Sequence, residues 1–416
     1  VKPTDFHNLI PKLTVKTDDI VKAGTPLFFD KYHPEVYLTS PVSGRVTAIN
    51  RGERRQVLQV VIEADAEIEY ESFVKGEPSR MSVKDIKNNL LKSGLWPTIR
   101  QRPYDIIANP EDMPKAIFIS AFDTAPLAPD YDFIVKDCEA DFQTGIDALS
   151  KLTVGSVHVN INDEYPASQV FIGARSVQVN RIRGPHPAGT VGIQIHHIDP
   201  VNKGDIVWYI NPQDVITIGR LFTSGIYDAS KVIALAGSEV LKPRYYKIIG
   251  GTSIKNIIKD NITDGNNRFI SGNVLTGSKI ARDGFLGYYD SLITVIPEGD
   301  HFELLGWAMP GFSKYSVSRS FWSWLMSNRE FRLDTNLNGG IRAFVMTGQY
   351  EKVFPMDIFP VQLVKAVFIK DIDLMEKLGI YEVAPEDFAL CEFVCTSKID
   401  VQNIIREGLD FMIKEM

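Results

Sequence analysis

Along the first seventy residues apolar and polar positions alternate in short runs broken by turn residues, and from about residue 71 the spacing becomes helical. Gly24 and Pro26 set one turn and Ser40-Pro41-Val42-Ser43-Gly44 another, which predicts a compact all-β module. Ser82, with Asp85 three residues on, can cap a helix whose Val83, Ile86, Leu90 and Leu91 share a face and which Gly94 can end. Ala116–Ser120 reads as a buried strand, Phe142, Ile146 and Leu149 as an amphipathic helix, and Val157–Ile161, Val170–Ile172 and Val177–Val179 as strands. This alternation predicts an α/β layer on a largely parallel sheet. Beyond Gly189 the pattern predicts a strand ending in Ile195-His196-His197, a helix Pro212–Ser224 closed by Gly225, and a strand Val232–Ala236. Short strands among glycines from Pro243 to Ile293 read as a small β-grasp. Phe302 to Trp324 alternates aromatic and small residues. After Pro355 the signal is helical, with Val401, Ile404, Ile405, Leu409, Met412 and Ile413 on one stripe.

The fold class is therefore multidomain α/β (α+β). The units run 1–70 (hybrid barrel), 71–242 (Rossmann-like α/β), 243–294 (β-grasp), 295–354 (aromatic-rich β segment) and 355–416 (helical). At 416 residues several cores are required. No apolar run reaches the roughly 18 residues that span a bilayer. The chain starts at Val1 in mid-pattern, so a preceding segment is expected.

A hydrophobic share of 44%, a charged share of 23% and a net charge of −7 describe a globular chain without a nucleic-acid-binding surface. Its one locally basic run, Arg51 to Arg55, reads as a solvated turn. Three cysteines, Cys138, Cys391 and Cys395, cannot build a disulfide framework and suit a reducing cytoplasm. Cys391 and Cys395 share a helical face and are either core residues or, with Cys138 too far off in sequence, an incomplete metal set. His186, His196 and His197 lack zinc spacing and read as turn and sheet positions, the adjacent pair pointing to opposite faces of a strand.

The segment Val15 to Val46 resembles lipoyl and biotinyl carrier domains. Those domains set a modified lysine about eight residues before the Ser-Pro turn, where this chain has His33. Lys31 is two positions off register, so it is either a surface lysine in a barrel kept for its shape or a displaced carrier site. Nine motifs in order then carry a wider resemblance. They are DKYHPEVYLTSPVSGRV (Asp30–Val46), INRGERRQVLQVVI (Ile49–Ile62), SGLWPTIRQRPY (Ser93–Tyr104), AIFISAFDTAPLAPD (Ala116–Asp130), RGPHPAGTVGIQIH (Arg183–His196), NPQDVITIGRLFTSG (Asn211–Gly225), ISGNVLTG (Ile270–Gly277), GWAMPGFSKYSVSRSF (Gly306–Phe321) and LCEFVC (Leu390–Cys395). Together they resemble the NqrA family of the sodium-translocating NADH:quinone oxidoreductases. That family is similar in layout to the RnfC family of the Rnf complexes and to the flavin-bearing subunit of complex I.

The resemblance implies a lipoyl/biotinyl-like barrel, a Rossmann-like domain, a β-grasp of the SLBB type and a helical end. It implies electron flow at the level of the complex from NADH through flavins and an iron–sulfur cluster to quinone, coupled to sodium export. The partners implied are the other subunits. The place is the cytoplasmic face of the inner membrane, without a transmembrane segment or independent catalytic activity. Family chains carry further strand before the point matching Val1, which implies truncation here. Relatives bear a Gly-rich flavin loop where this chain has Gly94-Leu95-Trp96-Pro97-Thr98. Trp96 would block a phosphate and Pro97 donates no hydrogen bond, so no cofactor and no metal is expected on this chain.

Two candidate surfaces remain. Trp96, Arg100, Arg102 and Tyr104 supply an aromatic wall and donors for a quinone head, unless Trp96 merely fills the lost cofactor space. Trp307, Phe312, Tyr315, Phe321, Trp322 and Trp324, with Lys314 and Arg319, supply interface anchors, with Lys314, Arg319 and Trp322 as the docking residues, unless these aromatics line a core sheet. The alternative function is an independent soluble binding protein that uses this fold for a small flat ligand. His33 at the hairpin tip is read as partner surface.

Overall fold

A computed structural model describes residues 1–301, 303–306, 308–326 and 330–415. Phe302 and Trp307 lie outside the described residues. The first unit pairs β1 (Pro11–Leu13), β3 (Pro26–Asp30) and β4 (Tyr37–Thr39) in one sheet. It pairs β2 (Ile20–Val21), β5 (Gly44–Arg51) and β6 (Val57–Ala64) in another. Leu27, Phe28, Leu38, Val46 and Val60 close the space between the sheets. His33 and the exposed Lys31 stand at the β3–β4 turn, with His33 Nδ1 3.9 Å from Glu35.

The second unit opens with α1 (Val83–Ser93), whose Ser82 Oγ accepts the Asp85 N–H at 3.1 Å and whose end at Gly94 takes a φ of +77°. Ile86 and Leu90 are buried as their spacing predicts. After it come β7 (Arg100–Arg102), β8 (Ile106–Ile107), β9 (Ala116–Ser120), α2 (Tyr131–Ile134), α3 (Glu139–Leu149) and β10 (Ser156–Asn162). Next are α4 (Gln169–Ile172), β11 (Gln178–Ile182), α5 (Val191–Ile198), β12 (Val207–Tyr209) and α6 (Pro212–Ser224). The sheet order is β11-β10-β9-β12-β7-β8, with the first four strands parallel and β7 and β8 antiparallel. Gly225 ends α6 at a φ of +76°, as the sequence predicts, and Asn211 caps its start.

Two strand expectations are corrected. Val170–Ile172 lies in α4, capped by Ser168, and Ile195-His196-His197 lies in α5. The two histidines therefore do not point to opposite faces of a sheet. His196 Nδ1 lies 2.5 Å from Glu382 Oε2, and the Asp357 N–H donates to His196 Nε2 at 3.0 Å.

The third unit is a five-stranded sheet, in order β14-β13-β17-β15-β16. Its strands are β13 (Ser230–Ala236), β14 (Arg244–Ile249), β15 (Asn267–Ser271), β16 (Ser278–Ile280) and β17 (Leu292–Pro297). The strand at 232–236, assigned from sequence to the α/β unit, pairs here with β14 and β17. Its hydrogen bonds rather than its chain position decide where it belongs.

The aromatic-rich β segment is a further correction, because among the described residues from 298 to 354 there is no strand, only 3-10 turns at Trp322–Leu325 and Tyr350–Lys352. Ion pairs fasten this stretch to the third unit. Glu298 bonds Arg268 and accepts Lys279 Nζ at 2.8 Å, which holds its carboxyl down at about 2. Buried Glu239 receives Arg332 through two bonds of 2.7 and 2.6 Å. The last unit packs α7 (Pro360–Ile369), α8 (Ile372–Lys377), α9 (Ala389–Val394) and α10 (Val401–Glu415) around Leu363, Val364, Phe388, Ile405 and Leu409. Among the described residues no helix is long and apolar enough to cross a membrane.

Candidate functional site at the sheet switch point

The chain leaves β9 toward β10 and β11 on one side and returns to β12 on the other. The loops after β9 and β12 therefore part at their carboxyl ends, the crevice in which open α/β sheets bind ligands. A cavity of about 190 Å³ occupies it. Ser120 and Phe122 come from the first loop and Asn211 and Asp214 from the second. Arg100 comes from β7, Asn273 and Tyr289 from the third unit, and Glu386 from the helical unit.

A buried polar relay shapes the floor. Asn160 Nδ2 donates to Gln194 Oε1 at 2.8 Å, Gln194 Nε2 to Ser120 Oγ at 2.8 Å, and Ser120 Oγ to the Gly189 carbonyl at 3.0 Å. The Gly189 N–H in turn donates to Thr124 Oγ1 at 2.9 Å, and His186 Nδ1 lies 3.1 Å from the same hydroxyl. A Cβ at Gly189 would press on the backbone of Asp123 and Thr124, so the close approach requires glycine.

The electrostatics follow from burial. The Arg100 guanidinium lies over the Tyr209 ring at 5.1 Å and the Tyr289 ring at 4.8 Å and bonds the Asp105 carboxylate, which Tyr209 also reaches through its hydroxyl. Burial pulls the Arg100 pKa down, but Asp105 and the two tyrosines raise it overall. Burial pushes Asp214 up to about 6 against the pull of Lys231. It pushes Glu386 up to about 7, again against a cation, Arg102. Aromatic walls, one guanidinium and two protonatable carboxyls can hold a flat ring that carries carbonyl or hydroxyl oxygens.

Of the four residues proposed for a quinone, only Arg100 borders this cavity. Trp96 is 0% exposed, donates Nε1–H to the Ala108 carbonyl at 2.7 Å and meets Trp208 edge-on at 5.4 Å, so it has no face to offer a ligand. Arg102 is spent on Asp387 and reaches the cavity wall only through Glu386, 3.1 Å away. Tyr104 sits in a turn with a φ of +79°, its ring 6.1 Å from Tyr381. After Gly94 the Leu95 N–H bonds the Leu90 carbonyl of α1, the Thr98 N–H the Leu95 carbonyl and the Ile99 N–H the Trp96 carbonyl, so the turn does not fit a flavin phosphate.

Elsewhere, Cys391 and Cys395 are buried, and the Tyr350 hydroxyl donates to Cys395 Sγ at 3.1 Å. Arg220 Nη2 lies 3.7 Å from Cys138 Sγ. Among the described residues no group of three or more His, Cys, Asp or Glu side chains is placed for a metal.

The docking residues divide. Lys314 bonds Glu303 and donates to the Gly306 carbonyl at 3.2 Å, whereas Arg319 is exposed and Trp322 is 58% exposed. The core-sheet alternative for these aromatics falls, since Phe312, Tyr315, Trp322 and Trp324 are exposed and stand in no strand.

Three family models match the chain in order. The NqrA N-terminal barrel-sandwich hybrid domain matches residues 1–65, the NqrA second alpha/beta domain 81–227, and the NQRA C-terminal domain, of the SLBB type, 232–282. The NqrA chain of the Na(+)-translocating NADH-quinone reductase of Neisseria meningitidis serogroup C is 40% identical over 417 residues, covering 99% of this chain and 92% of the relative. The chain belongs to the NqrA family. NqrA from Pasteurella multocida is 39% identical over 99% of this chain and 92% of its own length, and that from Yersinia pestis 40% over 97% and 91%. The barrel, α/β and SLBB units expected from the sequence are thus those of NqrA, which is named for a sodium-translocating oxidoreductase complex.

Proposed function

We propose that the chain is the peripheral subunit of a sodium-translocating NADH:quinone oxidoreductase on the cytoplasmic face of the inner membrane. It carries no redox cofactor of its own and joins the other subunits through the lobe at 308–326. The observation that carries the docking reading is the exposure of Trp322, Trp324, Leu325 and Phe312 on that lobe, residue types that anchor partner interfaces. The free thiols at Cys138, Cys391 and Cys395 fit a reducing compartment. Arg319→Glu combined with Trp322→Ser is expected to weaken assembly with the other subunits at least tenfold, read by co-purification from cells that carry a tagged partner. Undiminished assembly would overturn the docking reading.

The cavity favours a second reading, contact with quinone. A quinone head is a flat ring with two carbonyl oxygens, and Arg100 between Tyr209 and Tyr289 offers a cation and ring faces to it. Titration with a soluble quinone, followed by heteronuclear NMR, is expected to give saturable shifts that Arg100→Lys weakens. No saturable shift would remove the quinone from this chain.

A further inference from the structure

We propose that the lobe at 308–326 rests on an anionic lipid surface, with Trp322 and Trp324 in the headgroup layer and Arg319 on the lipid charge. The inference goes beyond the docking reading by giving this exposed face a bilayer to rest on, and the closing test tells the two apart. It starts from composition. The stretch Ala308 to Met326 contains Lys314 and Arg319 and no Asp or Glu, in a chain whose net charge is −7. The lobe therefore holds cations and no acid of its own on an acidic molecule. Lys314 is neutralised locally by Glu303, and among the described residues no acid pairs with Arg319.

The second observation is where the apolar side chains go. The lobe closes on itself and packs on the body. The Trp322 N–H donates to the Pro310 carbonyl at 2.9 Å within it, and the Tyr315 ring reaches out of it to stand 5.5 Å from Phe331 and 6.1 Å from Phe393 of α9. Despite those ties Met309 is 59% and Trp324 54% exposed, and Leu325 is exposed beside them. Two tryptophans and a leucine on one 3-10 turn, with phenylalanine and methionine nearby, are the residue types that settle at the boundary between lipid tails and headgroups.

The third observation concerns the polar tip. Ser316, Ser318 and Ser320 line up their hydroxyls at 3.0 and 2.6 Å, and the Arg319 N–H donates to the Ser316 carbonyl at 3.2 Å. Three exposed or half-exposed hydroxyls in the same turn as an arginine unclaimed by any described acid suit phosphate oxygens. A protein face complementary to this lobe would meet the same apolar residues. The lack of Asp and Glu from 308 to 326, with exposed aromatics and an arginine that no described acid pairs, favours the anionic bilayer.

The test uses the full chain and vesicles of phosphatidylcholine with or without phosphatidylglycerol. Co-sedimentation with the anionic vesicles is expected to be about tenfold stronger than with neutral ones, to weaken with salt, and to shift tryptophan emission to the blue. Arg319→Glu is expected to abolish the preference for anionic lipid, and Trp322→Ser with Trp324→Ser the blue shift. All three positions are exposed, so the variants should fold, which circular dichroism checks. A wild-type chain that ignores anionic vesicles, or binds them as well after either change, overturns the proposal. Assembly in detergent separates the two readings. Subunits that assemble in detergent while the chain ignores vesicles leave docking standing and remove the lipid. A chain that binds vesicles and assembles regardless of Arg319→Glu with Trp322→Ser supports the lipid and removes protein docking.

Discussion

Arg102→Leu is expected to cost about 3 to 5 kcal/mol and to loosen the helical unit from the α/β unit, because it strands a buried anion. The side chain is 0% exposed. It donates to Asp387 Oδ2 at 2.5 Å, to the Glu382 carbonyl at 2.7 Å and to Glu386 Oε1 at 3.1 Å. Asp387 is itself buried and also accepts the Ala384 N–H at 2.8 Å, so it cannot turn to water when its partner goes. Gly192 of α5 packs against this pair so closely that a Cβ would overlap both Arg102 and Asp387. Arg102→Leu with Asp387→Asn is expected to recover much of the loss, since the asparagine keeps the bond to Ala384 and leaves no charge behind.

The readout is urea unfolding followed by probes in each unit, as several cores need not melt together. The site also sets a pH dependence. Burial raises the Glu386 carboxyl to about 7, against Arg102, from an ordinary value of 4.5. A carboxyl raised on folding contributes stability that is complete below the unfolded value and lost as pH rises through the folded one. The interface should therefore weaken from about pH 4.5 to 7, and in Arg102→Leu the loss should extend to higher pH. Unchanged unfolding of the single variant would mean that Asp387 finds water or another donor.

How much of this could be read in the sequence depends on the range of the forces involved. The α1, α6 and α10 helices were legible because their signals are local: a cap, an apolar face and a terminal glycine for α1, the terminal glycine for α6 and the apolar stripe for α10. The α5 segment was not. Val191-Gly192-Ile193-Gln194-Ile195 has the alternation of a strand, but Ile193 packs in the helical unit and Ile195 against Phe118 of β9, so tertiary contacts on two sides select the helix. The aromatic alternation after β17 misled for a related reason. A strand needs an edge to pair with, and no spacing reveals that none is offered. In the site, Arg100 could be singled out as a cation among aromatics. Tyr209, Tyr289 and Glu386 arrive from three separate parts of the chain, and of the two strand ends that flank the site, at Ser120 and Tyr209, only the first was legible in the sequence. Those ends become a crevice only once the strand order reverses at β9.

Gly219→Ala should destabilise the α/β unit, although the same change inside a helix ordinarily gains about 0.5 to 1 kcal/mol. The sign reverses because α3 and α6 touch through their backbones at two points. A Cβ on Gly219 would overlap the Asp141 carbonyl, and one on Gly145 would overlap the Val215 carbonyl. The helices must then separate, which gives up packing along the crossing and the Arg220–Asp141 ion pair at 3.1 Å. Overpacking of this kind costs about 1 to 3 kcal/mol. The amino end of α6 carries Asn211 and Asp214 into the cavity, so the displacement should also weaken whatever the cavity binds. Gly145→Ala is expected to act in the same direction, and the double variant to cost less than the two singles together, since helices already apart admit the second methyl more easily. A Gly219→Ala chain that melts higher than wild type would show that helix propensity outweighs the crossing and that the two backbones do not meet.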